Sequence, residues 1–300
     1  MTQSIREQQQ APRVERLVVI GLGLIGGSFS KGLREQGLCN EVVGFDPNAD
    51  SRQLAVELGV VDRCTETLEE ACRDASVIQL AAPILAMEKL LEQLSQLELG
   101  DAVLTDVGSA KGNLVRCATR VFGTMPARFV PGHPIAGSER SGITAADASL
   151  FQRHKVILTP VAGTDPQALA LVDRLWSALG ADVEHMDVAH HDEVLAATSH
   201  LPHLLAFGLV DSLAKRHENL EIFRYAAGGF RDFTRIAGSD PVMWHDIFLA
   251  NREAVLATLD DFRTDLDALR AAVDEGDGHT LLGVFTRARA AREHFSKILA

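Results

Sequence analysis

Apolar runs and helical periodicity alternate along the first half of the chain. Strands are predicted at 16–21, 41–45, 76–81, 102–105, 128–131, 154–159 and 182–185. Helices are predicted at 24–36, 51–57, 84–94, 111–121 and 166–179. Such alternation is the pattern of a parallel sheet with crossover helices. From about Met186 the strand signals vanish, and helical periodicity runs to Ala300, broken near Gly228-Gly229, Gly238 to Pro241 and Gly276 to Gly278. The pattern therefore predicts a flexible tail over 1–15, an α/β Rossmann-type dinucleotide-binding domain over 16–186 and an all-helical domain over 187–300. The second domain carries more apolar residues than one short bundle buries, so a homodimer through these helices is expected.

The run from Leu17 to Ser28 is an apolar strand feeding a G-x-G-x-x-G turn that opens a helix. Gly21 permits the tight turn, Gly23 lets backbone approach a pyrophosphate, and Gly26 lets helix pack closely on strand. Leu24 and Ile25 open the helix, whose N-terminal N–H groups and dipole favour phosphate. The next predicted strand ends in Asp46, some twenty residues past the last glycine, where a carboxylate accepts hydrogen bonds from an adenosine ribose. A carboxylate there repels a 2′-phosphate, so NAD is expected over NADP. Arg52, the nearest cation, falls on the following helix. The Ala82-Pro83 turn, after the strand at 76–81, is expected beside the cofactor.

Composition narrows the function. A net charge of -12 over 300 residues argues against a nucleic-acid partner, and an anionic substrate then needs a local basic group. Cys39, Cys64, Cys72 and Cys117 show no metal or pairing spacing, which points to a reducing compartment. No run of the sequence reads as a membrane span, and the first fifteen residues lack the apolar core of a signal peptide. A cytoplasmic protein is expected.

Four further segments carry candidate chemistry. Asp106-Val107-Gly108-Ser109-Ala110-Lys111-Gly112 follows a strand's carboxyl end, where ligands bind in open α/β sheets. Ser109 reads either as the cap of the next helix or as a group facing the nicotinamide side. Gly132-His133-Pro134 presents an imidazole on a defined loop at the same edge, and histidine suits the proton acceptor of an alcohol oxidation. Ser199-His200-Leu201-Pro202-His203 enters an apolar helix; its two histidines lack a carboxylate or cysteine at metal-ligand spacing, so no metal is expected and contact with a polar substrate is. The neighbouring His190-His191-Asp192 reads as solvated helix surface. In Gly229-Phe230-Arg231-Asp232-Phe233-Thr234-Arg235, two arginines four apart can share a helix face, either gripping a carboxylate or pairing with Asp232 and Asp240.

In series, the segments G-L-G-L-I-G-G-S, D-V-G-S-A-K-G, G-H-P-I-A-G-S-E, S-H-L-P-H and G-F-R-D-F-T-R-I-A-G-S-D-P-x-M-W resemble the prephenate dehydrogenase (cyclohexadienyl dehydrogenase) family from Val18 to about Phe262. The resemblance implies NAD-dependent oxidative decarboxylation of prephenate to 4-hydroxyphenylpyruvate in tyrosine biosynthesis, with arogenate as a second substrate. It implies His133 as the catalytic histidine, Ser109 beside the same ring hydroxyl, Arg235 on a carboxylate, His203 on the side chain, and Ser199 and Trp244 lining the pocket. The cofactor would lie along Gly21, Gly23, Leu24, Ile25, Gly26, Asp46, Ala82 and Pro83. Glu139 is a candidate partner for the arogenate ammonium. The fused mutase or regulatory domains of some relatives are not expected, so feedback by tyrosine would act at the active site.

Two other functions compete. A β-hydroxyacid or 6-phosphogluconate-type dehydrogenase shares the Rossmann-plus-helical plan but places a lysine on the central helix, where this chain has Ser199, His200 and His203 and no lysine before Lys215. A non-catalytic NAD-sensing regulator would carry a basic recognition element, and no basic cluster occurs.

Overall fold

The structure, a computed structural model, describes residues 13–137, 140–216 and 219–298. Most of the expected tail, and Glu139 with its proposed ammonium contact, lie outside the described residues. The first strand begins inside that tail, because Val14 N–H donates to the Leu38 carbonyl (2.7 Å) and Val14 pairs with Cys39.

Strands β1 (Val14–Ile20), β2 (Cys39–Phe45), β3 (Arg63–Cys64), β4 (Val77–Leu80), β5 (Val103–Asp106) and β6 (Phe129–Val130) form a parallel sheet in the order β3-β2-β1-β4-β5-β6. The order reverses between β1 and β4, and the carboxyl ends flanking such a reversal are where ligands bind. Apolar residues run nearly unbroken through the central strands because both faces are covered. Val19, Val77 and Val103 face Phe29 of α1 (Leu24–Glu35) and Trp176 of α6 (Pro166–Ala178), whereas Ile20, Ile78 and Leu104 face Met87 of α4 (Ile84–Leu94) and Leu114 of α5 (Gly112–Val121). Trp176 is fully buried, its ring centroid 4.5 Å from Phe29 and 4.9 Å from Phe151. The remaining helices of this part are α2 (Ala49–Glu57), capped by Asn48, and α3 (Leu68–Cys72), capped by Thr67.

Three strands stand apart from this sheet. β7 (Gly132–Pro134) pairs antiparallel with β8 (Lys155–Leu158), and β8 pairs parallel with β9 (Asp182–His185). His133 thus sits on a strand, not the expected loop. Flanking Gly and Pro disguise the strand in sequence, while pairing of His133 with Ile157 creates it.

Helix α7 (Val188–Leu195) runs through a π-turn, Ala196–His200, into α8 (Leu201–Ala214). Pro202 explains the turn: it offers no N–H, and its ring would strike the carbonyl four residues back, so the helix widens before it. Contrary to the sequence reading, the continuous segment Val188–Ala214 is long and apolar enough, by length and composition, to cross a membrane. Its buried His191 and Asp192, however, bond to His133, Lys111 and Gly112 of the α/β part. Helices α9 (Asn219–Arg224), α10 (Gly228–Thr234) and α11 (Pro241–Ala250) follow. The described residues form two compact units, divided between Arg252 and Glu253; the change of pattern near 186 falls within the first, between β9 and α7. Helix α12 (Arg252–Asp274) runs from the last residue of the first unit into the second, which also holds α13 (Gly278–Ile298).

Candidate active site

The glycine turn leaves β1 with Gly21 at φ +102°, and a Cβ there would lie 2.5 Å from the Ala81 carbonyl oxygen. A Cβ on Gly26 would lie 2.4 Å from the Gly21 carbonyl oxygen and 2.9 Å from Val19. At Gly23 it would meet no heavy atom within 4 Å among the described residues. The first and third glycines therefore serve backbone packing, and the second opens onto space. Gly23 caps α1 with no side-chain acceptor, leaving the N–H groups of Leu24 and its neighbours for an anion. The Ala82 nitrogen lies against Gly21, Pro83 follows as the cap of α4, and half-buried Ile25 anchors the turn to the core. Asp46 is held beside this turn: one carboxylate oxygen accepts Leu22 N–H (3.0 Å), the other Asn48 N–H (2.9 Å). Arg52 is on α2, as expected, yet its guanidinium reaches back to donate to the Asp46 carbonyl (2.7 Å). An open glycine, an uncapped helix end and a fixed carboxylate fit a dinucleotide.

The segment after β5 folds around Asp106, which is fully buried. Its carboxylate accepts Gly108 N–H (2.7 Å), Gly132 N–H (3.2 Å) and the Lys111 ammonium. Lys111, also fully buried, donates to the Gly132 carbonyl (2.6 Å). Burial pushes the ammonium's pKa down and Asp106 pulls it back up, with a net fall. The pair ties the carboxyl end of β5 to the strand bearing His133. Ser109 is half-buried on this loop and does not cap α5; the cap position is Lys111.

His133 is 8 % exposed, and its Nδ1 lies 2.9 Å from Nε2 of His191. His191 Nδ1 lies 2.8 Å from Oδ1 of Asp192. Asp192 also accepts Lys111 N–H and Gly112 N–H, both at 2.8 Å, and so caps α5 from another helix. Only His190 of this trio is solvated; His191 and Asp192 are buried, correcting the surface reading. Helical spacing alone does not reveal which face of α7 meets α5, and one usable signal lay in the uncapped start of α5, which needs an acceptor from elsewhere. Burial lowers the His133 pKa well below its ordinary value, helped by His191, Lys111 and His200. His191 is lowered too, by burial, although Asp192 opposes it. Burial raises the Asp192 carboxyl, but His191 and the two backbone donors outweigh it and leave it lowered.

A second group surrounds Trp244, which is 6 % exposed. The His203 ring stacks on the indole at 3.6 Å between centroids and 21° between planes. His203 Nδ1–H donates to the Ser199 carbonyl (2.8 Å), so Nε2 is left for a ligand. Burial lowers the His203 pKa, with Arg235 adding to the effect. Arg235 begins a 3₁₀ turn, Arg235–Gly238, so it does not share one regular helix face with Arg231; both are exposed. Asp240 caps α11 through Met243 N–H. His200 joins the two groups: its Nδ1 is 3.1 Å from Asn251 Nδ2, which donates to the Asp192 carbonyl (2.9 Å), and its ring is 6.1 Å from Trp244. No group of three or more metal-ligating side chains occurs among the described residues.

Two family models match in tandem: prephenate dehydrogenase, nucleotide-binding domain, over residues 29–185, and prephenate dehydrogenase, dimerization domain, over residues 187–287. The chain is 37% identical over 283 residues to cyclohexadienyl dehydrogenase of Zymomonas mobilis, covering 93% of this chain and 95% of that one. It is 35% identical to prephenate dehydrogenase of Bacillus subtilis, covering 93% and 76%. The structure of Aquifex aeolicus prephenate dehydrogenase with hydroxyphenyl propionate and NAD+ is similar at a TM-score of 0.88 and 37% identity, over 95% of this chain and 100% of that one. Synechocystis arogenate dehydrogenase is similar at 0.79 and 30%, over 93% and 99%.

Proposed function

The chain belongs to the prephenate dehydrogenase family, and from that premise we propose that it catalyses the NAD-dependent oxidative decarboxylation of prephenate to 4-hydroxyphenylpyruvate. The observation that carries the reading is His133, a buried imidazole held neutral at the carboxyl edge of a dinucleotide fold. Bound NAD supplies the hydride acceptor. Gly21, Gly23, Leu24, Ile25, Gly26, Asp46, Ala82 and Pro83 would hold it. His133 takes the proton of the ring hydroxyl, and the Ser109 hydroxyl orients that group. Arg235 grips a carboxylate bidentately, offsetting the chain's overall negative charge. His203 Nε2 contacts the side chain, against a wall made by Trp244 and Ser199. Loss of carbon dioxide aromatises the ring, so these residues have only to orient the carbinol carbon and accept one proton.

The exposed apolar residues of the helical region, with the dimerization-domain match, support a homodimer through the C-terminal helices. A soluble, cytoplasmic enzyme of tyrosine biosynthesis completes the reading. Its lysine-free central segment before Lys215 disfavours the β-hydroxyacid alternative. The test is NADH formation with prephenate and NAD, with arogenate in parallel. Absorbance growth with prephenate is expected; a folded, NAD-binding protein inert toward both substrates would overturn the reading.

A further inference from the structure

The buried line Asp192–His191–His133 has a direction that its chemistry dictates. The Asp192 carboxylate has only acceptor atoms, and its two oxygens already receive the N–H groups of Lys111 and Gly112. The His191 nitrogen facing it, Nδ1, must therefore carry hydrogen. A neutral His191 then has a bare Nε2, and the only proton able to fill the 2.9 Å gap to His133 is one on His133 Nδ1. With Nδ1 protonated, neutral His133 keeps its lone pair on Nε2.

We propose that Asp192 and His191 are positioning residues that lock His133 in the tautomer whose Nε2 is the base, and that hold the imidazolium formed when it accepts the substrate proton. The proposal deepens the assignment of His133 as base and rests on it. No bond to carbon changes in this step: the hydroxyl proton moves to Nε2, Nδ1–H stays bonded to His191, and the new charge is steadied through His191 by the fixed carboxylate.

The surroundings agree with this direction. The groups facing the histidine pair are Lys111 at the α5 cap position, Asp106 of β5, Asp192 of α7 and His200 of the π-turn. Lys111 and His200 disfavour a resting charge on His133, keeping Nε2 free before substrate arrives. Asn251 fixes the backbone of Asp192 through its carbonyl. Asp192 is thus held at three points independent of His133 and His191, two on its carboxylate and one on its backbone, as an orienting group requires.

Two variants of His191 separate orientation from packing. His191→Gln keeps an acceptor for His133 Nδ1–H, whereas His191→Phe keeps a ring of similar bulk and no acceptor. Orientation predicts that the Gln variant retains at least about tenfold higher kcat than the Phe variant, with NAD affinity unchanged in both. A packing role predicts the reverse order and would overturn the proposal. Asp192→Asn is expected to lower kcat by roughly 10²–10⁴-fold, the range for disabling a general base, and to shift the acid limb of its pH profile. Nitrogen-15 NMR reads the tautomer directly: His133, assigned by loss of its signals in His133→Ala, is expected to show a protonated Nδ1 and bare Nε2 at pH 7. The opposite pattern would overturn the proposal even if the His191 and Asp192 variants misfold. Full turnover in His133→Ala would instead sink the base assignment itself; loss there, with normal kcat in His191→Phe and Asp192→Asn, would remove only the positioning role.

Discussion

Function at the residue scale depends on charges placed where burial makes them decisive. His133 must be neutral to act, and burial, His191, Lys111 and His200 all hold its pKa down. Since protonation disables it, kcat/KM is expected to stay level as pH falls to the ordinary histidine value near 6.5 and to drop only below it. A limb at or above that value would contradict the burial argument. His133→Ala should lower kcat by roughly 10²–10⁴-fold with NAD affinity intact, measured by titration. Asp46 is a different case, a carboxylate pinned by Leu22 and Asn48 with the Arg52 guanidinium against its own carbonyl. Asp46→Ala should shift the NAD-to-NADP ratio of kcat/KM toward NADP by roughly tenfold, about one charge-assisted hydrogen bond. Adding Arg52→Ala should cancel the gain; an unchanged ratio in the single variant would refute the ribose assignment. Asp46 was legible in sequence because glycine spacing sets its distance along the chain. His191 and Asp192 were not, because their partners Lys111 and His133 lie 81 and 58 residues away and only the fold joins them.

At the element scale the π-turn decides which histidines meet. His191 and His200 are nine residues apart, two and a half turns of a regular helix, which would put them on opposite faces. Both are buried, and both face His133. The widened turn at Ala196–His200 rotates the later residues back toward the first group, and such turns recur at functional sites. Pro202→Ala removes the cause of the widening while keeping the nine-residue spacing, and should restore regular winding. Turnover is then expected to fall at least about a hundredfold, while circular dichroism retains the helical signal and NAD still binds, because the glycine turn is untouched. Retained activity would show that the register of α8 does not matter. The sequence contains the cause, Pro202, but its position after Ser199-His200-Leu201 reads equally well as an ordinary helix start. The same ambiguity hid β7, where Gly132 and Pro134 argue for a loop until pairing with β8 overrides them. By contrast α4, predicted at 84–94, is found at Ile84–Leu94, because its apolar periodicity is long and Pro83 marks its start.

On the scale of the whole molecule, the unit Glu253–Ala300 cannot be stable as an isolated pair of helices. Among its described residues only Val255 and Ala272 are buried apolar positions, while Leu256, Leu266, Val273, Leu282, Phe285 and Phe295 are each about half exposed or more. A stripe of that size on a soluble chain calls for a partner surface, and isolated helices of this kind gain most of their stability from packing. Apolar excess from residue 187 onward was visible in sequence, but which side chains lack cover was not, since periodicity marks an apolar face without naming what covers it. A second copy of the chain is the occupant that fits a family match to a dimerization domain. Light scattering after size exclusion should give twice the chain's 32.4 kDa. Leu282→Glu with Phe285→Glu places two charges on the exposed stripe of α13. If that stripe is the interface, the mass should halve and the melting temperature become independent of protein concentration, because dissociation no longer accompanies unfolding. A variant that remains dimeric would move the interface off α13 and onto the exposed positions of α10 and α11, Phe233, Val242 and Met243.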